Sequence, residues 1–218
     1  MTKPTDWILD LFFPTRCILC REPMPPGRPG FCPVCRETLP ANGVGHIKGD
    51  FFSGCVAALR YDGPVRDAIL RYKFGGVQAY AHAFGELVAE RIYSEYFGKY
   101  DILSWAPLSP DRLKRRGYDQ AGLLAQNAAA RLRQTAVPTL RKRRGVGPQS
   151  LTNDREKRRA NIAGAYTVID PAAVRGRRVL LIDDIVTTGS TLSECAKMLL
   201  LADAEDVMCA ALAAATES

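Results

Sequence analysis

From Cys55 onward, apolar positions fall into two alternating rhythms. Cys55-Val56-Ala57-Ala58-Leu59-Arg60-Tyr61 is a nearly continuous apolar run and predicts a strand. A helix is predicted next, from about Pro64 to Lys73; Pro64 suits a first helical position and Gly75-Gly76 supplies the stop. Between Tyr80 and Phe97 the apolar residues Phe84, Leu87, Val88, Ile92 and Tyr96 recur at helical spacing. A strand over about Asp101–Ala106 and a helix from Asp119, as N-cap, to about Arg133 follow. Short strands are read around Val137–Leu140 and Ala165–Val168. Then come a strand Val179–Ile182, a helix from about Ser190 to Leu201, and a last strand Val207–Leu212. Apolar strands alternating with helices imply an α/β domain whose parallel sheet is covered on both faces.

The first 45 residues follow neither rhythm. Pro23-Met24-Pro25-Pro26-Gly27-Arg28-Pro29-Gly30 cannot continue a helix and predicts a loop. Ala41-Asn42-Gly43-Val44-Gly45 predicts a linker, so the chain divides into a small module (1–45) and a larger domain (50–218). Cys17-Ile18-Leu19-Cys20 and Cys32-Pro33-Val34-Cys35 form two C-x-x-C pairs inside the module. Their four thiolates suit one tetrahedral Zn²⁺, and a Pro-rich segment too short for its own core would take its folding energy from that metal. A redox C-x-x-C is the alternative, but it predicts one pair on a βα unit. Cys55, Cys195 and Cys209 read as buried hydrophobes.

Composition narrows the class. The chain is 47% hydrophobic and 24% charged, ordinary for a globular protein with a real core. No apolar run reaches bilayer-spanning length, so no membrane insertion is expected. The start lacks a basic leader and a small-residue cleavage site, and the protein reads as cytoplasmic. Net charge is +7, unevenly placed: residues 112–178 hold 17 Lys or Arg against four acids. That asymmetry points to a phosphate-bearing partner, although a solvated basic surface would produce the same count.

The most informative segment is Val179-Leu180-Leu181-Ile182-Asp183-Asp184-Ile185-Val186-Thr187-Thr188-Gly189-Ser190-Thr191. Two carboxylates follow a buried strand at its carboxyl end, where open α/β sheets bind ligands. The turn Thr187-Thr188-Gly189-Ser190-Thr191 then opens a helix whose amino end favours an anion, with Gly189 allowing close backbone approach. Asp183 and Asp184 can accept hydrogen bonds from the vicinal hydroxyls of a ribose beside that phosphate. A plainer reading makes the acids a cap and the hydroxyls an ordinary turn.

This segment resembles the signature of the type I phosphoribosyltransferases. The resemblance implies that fold, with 5-phosphoribosyl-1-pyrophosphate and Mg²⁺ as ligands. Tyr61-Asp62-Gly63-Pro64-Val65 through Ile69 to Lys73-Phe74-Gly75-Gly76, with Pro107-Leu108, Arg112-Leu113, Arg116-Gly117-Tyr118-Asp119-Gln120-Ala121, Gln149-Ser150-Leu151, Arg155 and Asn161, resembles the ComF (ComFC) family, four-cysteine start included. Two positions depart from the family's pattern: Asp119 where Asn is usual, and Ser109 where His is common. By this likeness the loop Pro107-Leu108-Ser109, with Arg112 and Arg116, would hold the pyrophosphate. Gln149, Ser150 and Arg155 would belong to a loop that closes over the site and excludes water.

Two functions follow from the resemblance. One is transfer of the phosphoribosyl group by a phosphoribosyltransferase associated with DNA uptake. The other is single-stranded-DNA handling, with the same fold serving as a ligand sensor or phosphate cradle. Competence-machinery proteins are further expected partners, with Leu11-Phe12-Phe13 as one apolar contact. His46 and His82 have neither metal-ligand nor triad spacing, and no general base or nucleophile stands out.

Overall fold

Val179, Leu180, Leu181 and Ile182 are all fully buried, as the centre of a parallel sheet covered on both faces requires. The computed structural model describes residues 15–27, 29–39, 47–143 and 164–215. Its elements, in chain order, are α1 (Pro33–Thr38), β1 (Gly54–Arg60), α2 (Gly63–Phe74), α3 (Tyr80–Tyr96), β2 (Ile102–Trp105), α4 (Pro110–Arg116), α5 (Gln120–Arg131), β3 (Leu140–Lys142), β4 (Tyr166–Val168), α6 (Pro171–Val174), β5 (Arg178–Val186), α7 (Ser190–Leu200) and β6 (Asp206–Ala214). The main sheet has the order β1-β6-β5-β2 with every pair parallel, so all four strands deliver their carboxyl ends to one edge.

Alternation along β5 sorts the core into two layers. Leu180 and Ile182 pack with Val65, Ala68, Ile69 and Tyr72 of α2, with Phe84, Val88 and Ile92 of α3, and with Leu124 and Ala128 of α5. Val179 and Leu181 face the other way, against Leu192, Cys195 and Leu199 of α7 and against Leu140 and Tyr166 of the small strands. In α2 the buried positions 65, 68, 69 and 72 are one helical stripe, which leaves Lys73 beside the stripe in the last turn.

Five elements differ from the sequence reading. β5 does not stop at Ile182; it continues through both aspartates to Val186, paired with β6 throughout. Two acids are poor strand formers, and pairing with an apolar neighbour outweighs their local preference. The short strands β3 and β4 pair antiparallel as a separate two-stranded sheet instead of joining the parallel one. Residues 110–116, to which the sequence reading gave no element, form helix α4: Ser109 caps it by accepting from the Arg112 N–H, and Pro110 occupies its first turn. The cysteine-rich segment also holds a short helix, α1, capped by Cys32.

Helices α3 and α5 approach closely at Gly85. A Cβ added there would lie 2.5 Å from the Asn127 Cβ and 3.0 Å from the Ala128 backbone nitrogen. Alanine would gain about 1 kcal/mol in helix propensity, but forcing this contact apart costs about 1–3 kcal/mol. Gly85→Ala should therefore lower stability despite the better helix former. Urea unfolding, with the midpoint falling at unchanged slope, checks the sign.

Candidate functional site

The carboxyl edge of the sheet opens into a cleft of about 310 Å³. Tyr61, just past β1, and Ala106, Pro107 and Leu108, just past β2, form part of its wall. Asp183, Asp184 and Ile185 of β5 and Thr187 and Thr191 of the following turn form more of it. Lys73 from α2, Arg112 and Arg116 from α4, and Lys142 and Tyr166 from the small sheet also reach it.

Successive strand residues point to opposite faces, and this decides what each carboxylate meets. Asp184 continues the side of Leu180 and Ile182, and its Oδ1 lies 2.9 Å from the Lys73 Nζ in a pair that is nearly buried, the side chains being 12% and 15% exposed. Asp183 continues the side of Val179 and Leu181. Burial, and then the charge of Asp184, hold its carboxyl well above the ordinary carboxylate range, with Lys73 opposing the shift.

The turn after β5 is tight and internally bonded. Gly189 is left-handed at φ +70°, a conformation that favours glycine over residues with a Cβ. The Thr188 and Ser190 hydroxyls bond each other at 2.7 Å inside the turn. Thr187 and Thr191 are the members of this turn that line the cleft.

On the β2 side, Pro107 and Leu108 line the cleft, while Ser109 is engaged as the cap of α4. Arg116 reaches inward with its guanidinium 4.7 Å from the Phe74 ring centroid and donates to Gln120 Oε1 at 2.8 Å. Burial lowers its pKa, which the nearby Asp184 opposes. Asp119 stands outside the cleft lining. Its Oδ1 accepts from the Gly122 N–H as the N-cap of α5, and its Oδ2 accepts from the Leu108 N–H, both at 3.1 Å. Gln149, Ser150 and Arg155 lie outside the described residues.

Four polar lining residues, Tyr61, Lys73, Lys142 and Tyr166, escaped assignment from the sequence. Tyr61 and Lys73 stood within the resemblance but carried no role. Lys142 was one of four cations in the run 141–144; alternation along β3 is the signal that separates it from the exposed Arg141. The Lys142 Nζ donates to the Tyr166 hydroxyl at 2.9 Å. Its ammonium pKa is lowered by burial and then by the charge of Arg112.

In the amino-terminal module the Sγ atoms of Cys17, Cys20, Cys32 and Cys35 all lie within 4.8 Å of one another. Tetrahedral zinc with Zn–S bonds of about 2.3 Å needs sulfurs about 3.8 Å apart, and Cys20 and Cys32 Sγ are 3.7 Å apart. The Cys32 N–H points at the Cys17 sulfur and the Cys35 N–H at the Cys32 sulfur, each at 3.4 Å, stabilising thiolates. The module sits on the larger domain: Ile18 is fully buried in its core, Arg71 donates to the Ile18 carbonyl at 2.6 Å, and Phe31 packs near Phe84.

Magnesium fits the acidic pair poorly. It requires near-octahedral oxygen ligands at about 2.0–2.1 Å, whereas Lys73 Nζ already holds one Asp184 oxygen at 2.9 Å. Among the described residues the cysteine quartet is the one cluster of three or more metal-ligating side chains.

Comparison with known proteins bears on the fold and on the cysteine module. Residues 115–218 match the phosphoribosyl transferase domain family, and residues 8–44 match the double zinc ribbon domain family. DNA utilization protein YhgH of Escherichia coli (strain K12) is 29% identical over 214 residues, covering 87% of this chain and 92% of the relative. Competence protein F of Haemophilus influenzae is 26% identical over 226 residues, covering 94% and 99%. Competence protein ComFC of Streptococcus pneumoniae is 31% identical over 155 residues, covering 69% and 64%. The chain belongs to the ComF family. This ComF chain therefore has a type I phosphoribosyltransferase fold with an amino-terminal cysteine module that forms a structural zinc site. Its parallel sheet also takes in β1 and β2, which precede or lie outside the matched domain segment. A solved glutamine phosphoribosylpyrophosphate amidotransferase from B. subtilis, complexed with ADP and GMP, aligns at 20% identity and TM-score 0.41. The alignment covers 60% of this chain, which spans only 26% of that larger one. Among the described residues no helix is long and apolar enough to cross a membrane.

Two outcomes follow. Metal analysis of the ComF chain should find one zinc per chain. Cys32→Ser should lose it, unfold the module and lower the melting temperature of the remaining fold by exposing the surface around Ile18 and Phe84. Disulfides without metal would contradict the assignment. The second concerns pH. Because the folded pKa of Asp183 is raised, the fold is penalised for its ionisation: no penalty exists at low pH, and it grows as pH rises above the ordinary carboxylate range. Asp183→Asn should gain stability relative to wild type as pH rises from acid through neutrality. Thermal melts across pH test this, and a difference independent of pH would contradict it.

Proposed function

We propose that the cleft binds 5-phosphoribosyl-1-pyrophosphate and that the protein transfers its phosphoribosyl group to a nucleophile, in a cellular role associated with DNA uptake. The observation that carries this reading is one cleft lined by Asp183 and Asp184, by Thr187 and Thr191, and by Arg112 and Arg116. In this reading the turn from Thr187 to Thr191 receives the 5′-phosphate, where backbone N–H groups at the start of α7 favour an anion. The carboxylates accept from the ribose hydroxyls. Arg112 and Arg116 face the pyrophosphate from beside Pro107 and Leu108, and stabilise the charge that develops on it as the C1–O bond breaks. Magnesium enters only as a companion of the ligand's own diphosphate, with water and phosphate oxygens as ligands.

A second reading has its own support. Arg141 and Arg143 are exposed on either side of the cleft residue Lys142, and the relatives are named DNA utilization and competence proteins. Here the chain would handle single-stranded DNA and the cleft would sense a ligand or cradle a phosphate.

Calorimetry distinguishes the two. Wild type should bind phosphoribosyl pyrophosphate, and Asp183→Asn combined with Asp184→Asn should abolish tight binding while the protein stays folded by circular dichroism. Unchanged affinity in the double variant would defeat the site assignment. Titrated with single-stranded DNA, the chain should show binding that weakens with salt, each phosphate contact contributing a slope near −0.7. Arg141→Ala with Arg143→Ala should flatten that slope. DNA binding without donor binding would favour the second reading.

A further inference from the structure

We infer that Lys73 is a built-in counter-cation of the cleft, occupying the place beside Asp184 that a divalent ion would otherwise fill, so that a ribose phosphate binds here without magnesium. The inference rests on the donor-site reading above. Its geometric basis is the 2.9 Å contact between Lys73 Nζ and Asp184 Oδ1, made by two side chains that both line the cleft and are both nearly buried. An ammonium has three donors and no acceptor. One donor is committed to Asp184, and the others are available to ligand oxygens at the same wall.

Charge counting points the same way. The cleft is lined by four cations (Lys73, Arg112, Arg116 and Lys142) and two carboxylates. The surplus is thus about two positive charges, and more to the extent that Asp183 stays protonated. A phosphate monoester carries about −1.5 to −2 at neutral pH. Ribose 5-phosphate is therefore neutralised by the protein's own side chains. The pyrophosphate of the full donor exceeds that surplus, so added magnesium should help the donor more than the monoester.

Lys73 is also positioned by its helix. It lies in the last turn of α2, whose stripe Val65, Ala68, Ile69 and Tyr72 is buried in the core. Its neighbour Phe74 lies under the Arg116 guanidinium. The same last turn of α2 therefore brings the ammonium to the cleft and supports the Arg116 guanidinium.

The test is calorimetric titration with ribose 5-phosphate and with phosphoribosyl pyrophosphate, with and without added magnesium. Magnesium is simply omitted, because a chelator would strip the zinc site. In wild type, magnesium should change ribose 5-phosphate affinity by less than about threefold, well under the tenfold that corresponds to 1.4 kcal/mol. Lys73→Met should bind it at least about tenfold more weakly without magnesium and recover when magnesium is added. Lys73→Arg keeps the charge and should stay independent of magnesium; it carries the test if the methionine variant fails to fold by circular dichroism. Wild-type binding that requires magnesium as strongly as Lys73→Met would overturn the counter-cation and leave the donor site standing. No binding of either ligand by wild type in any condition would overturn the donor site, and this inference with it.

Discussion

The pairing of β5 between β6 and β2 governs the rest of this molecule. β5 is covered on both faces, so its apolar residues must alternate between two cores, and the register that buries Val179 to Ile182 carries straight on into Asp183 and Asp184. A slip of one residue would send each of these side chains to the opposite layer. The alternation that builds the core therefore also separates the two carboxylates. One meets a lysine from the helical layer; the other is held in the layer of α7 and Tyr166. Two adjacent residues of the same type thus acquire different chemistry from the sheet alone.

Much of this was legible in the sequence. The apolar run of β5, the glycine-punctuated turn after it and the cysteine quartet each have local causes, so local pattern reveals them. The same holds for the buried stripe of α3, where Phe84, Leu87, Val88, Ile92 and Tyr96 all proved buried. Helix α4 also has a local cause, since Ser109-Pro110-Asp111 combines a cap, a first-turn proline and an acid, but its dense run of basic residues lacks an apolar stripe that would mark a helix. Lys73 and Asp184 are different. They stand far apart along the chain, and nothing local to either names the other. The partner emerges only when α2 and β5 pack. The extent of β5 was missed for a related reason: strand propensity argues against two aspartates, and the neighbouring strand β6 overrides it.

The zinc module and the cleft lie on different parts of the fold yet share α2. Arg71 reaches the Ile18 carbonyl of the module, and two residues later Lys73 reaches Asp184. A single helical turn thus carries a bond to each. The module also contributes Ile18 to the principal core, so it is packed as part of the fold and not merely tethered to it.

Asp119 shows how one atom type can matter. Its two carboxylate oxygens each accept a backbone N–H, one from α5 and one from Leu108. Asparagine caps a helix equally well, but it has a single acceptor oxygen, and its amide nitrogen could not accept the second bond. The departure from the family's usual residue therefore fastens the cleft's β2-side loop to the helix behind it. That loop gives up its freedom when the chain folds, not when a ligand arrives. Ordering a residue costs about 1–2 kcal/mol in conformational entropy, so a wall already set leaves more of the contact energy to appear as affinity.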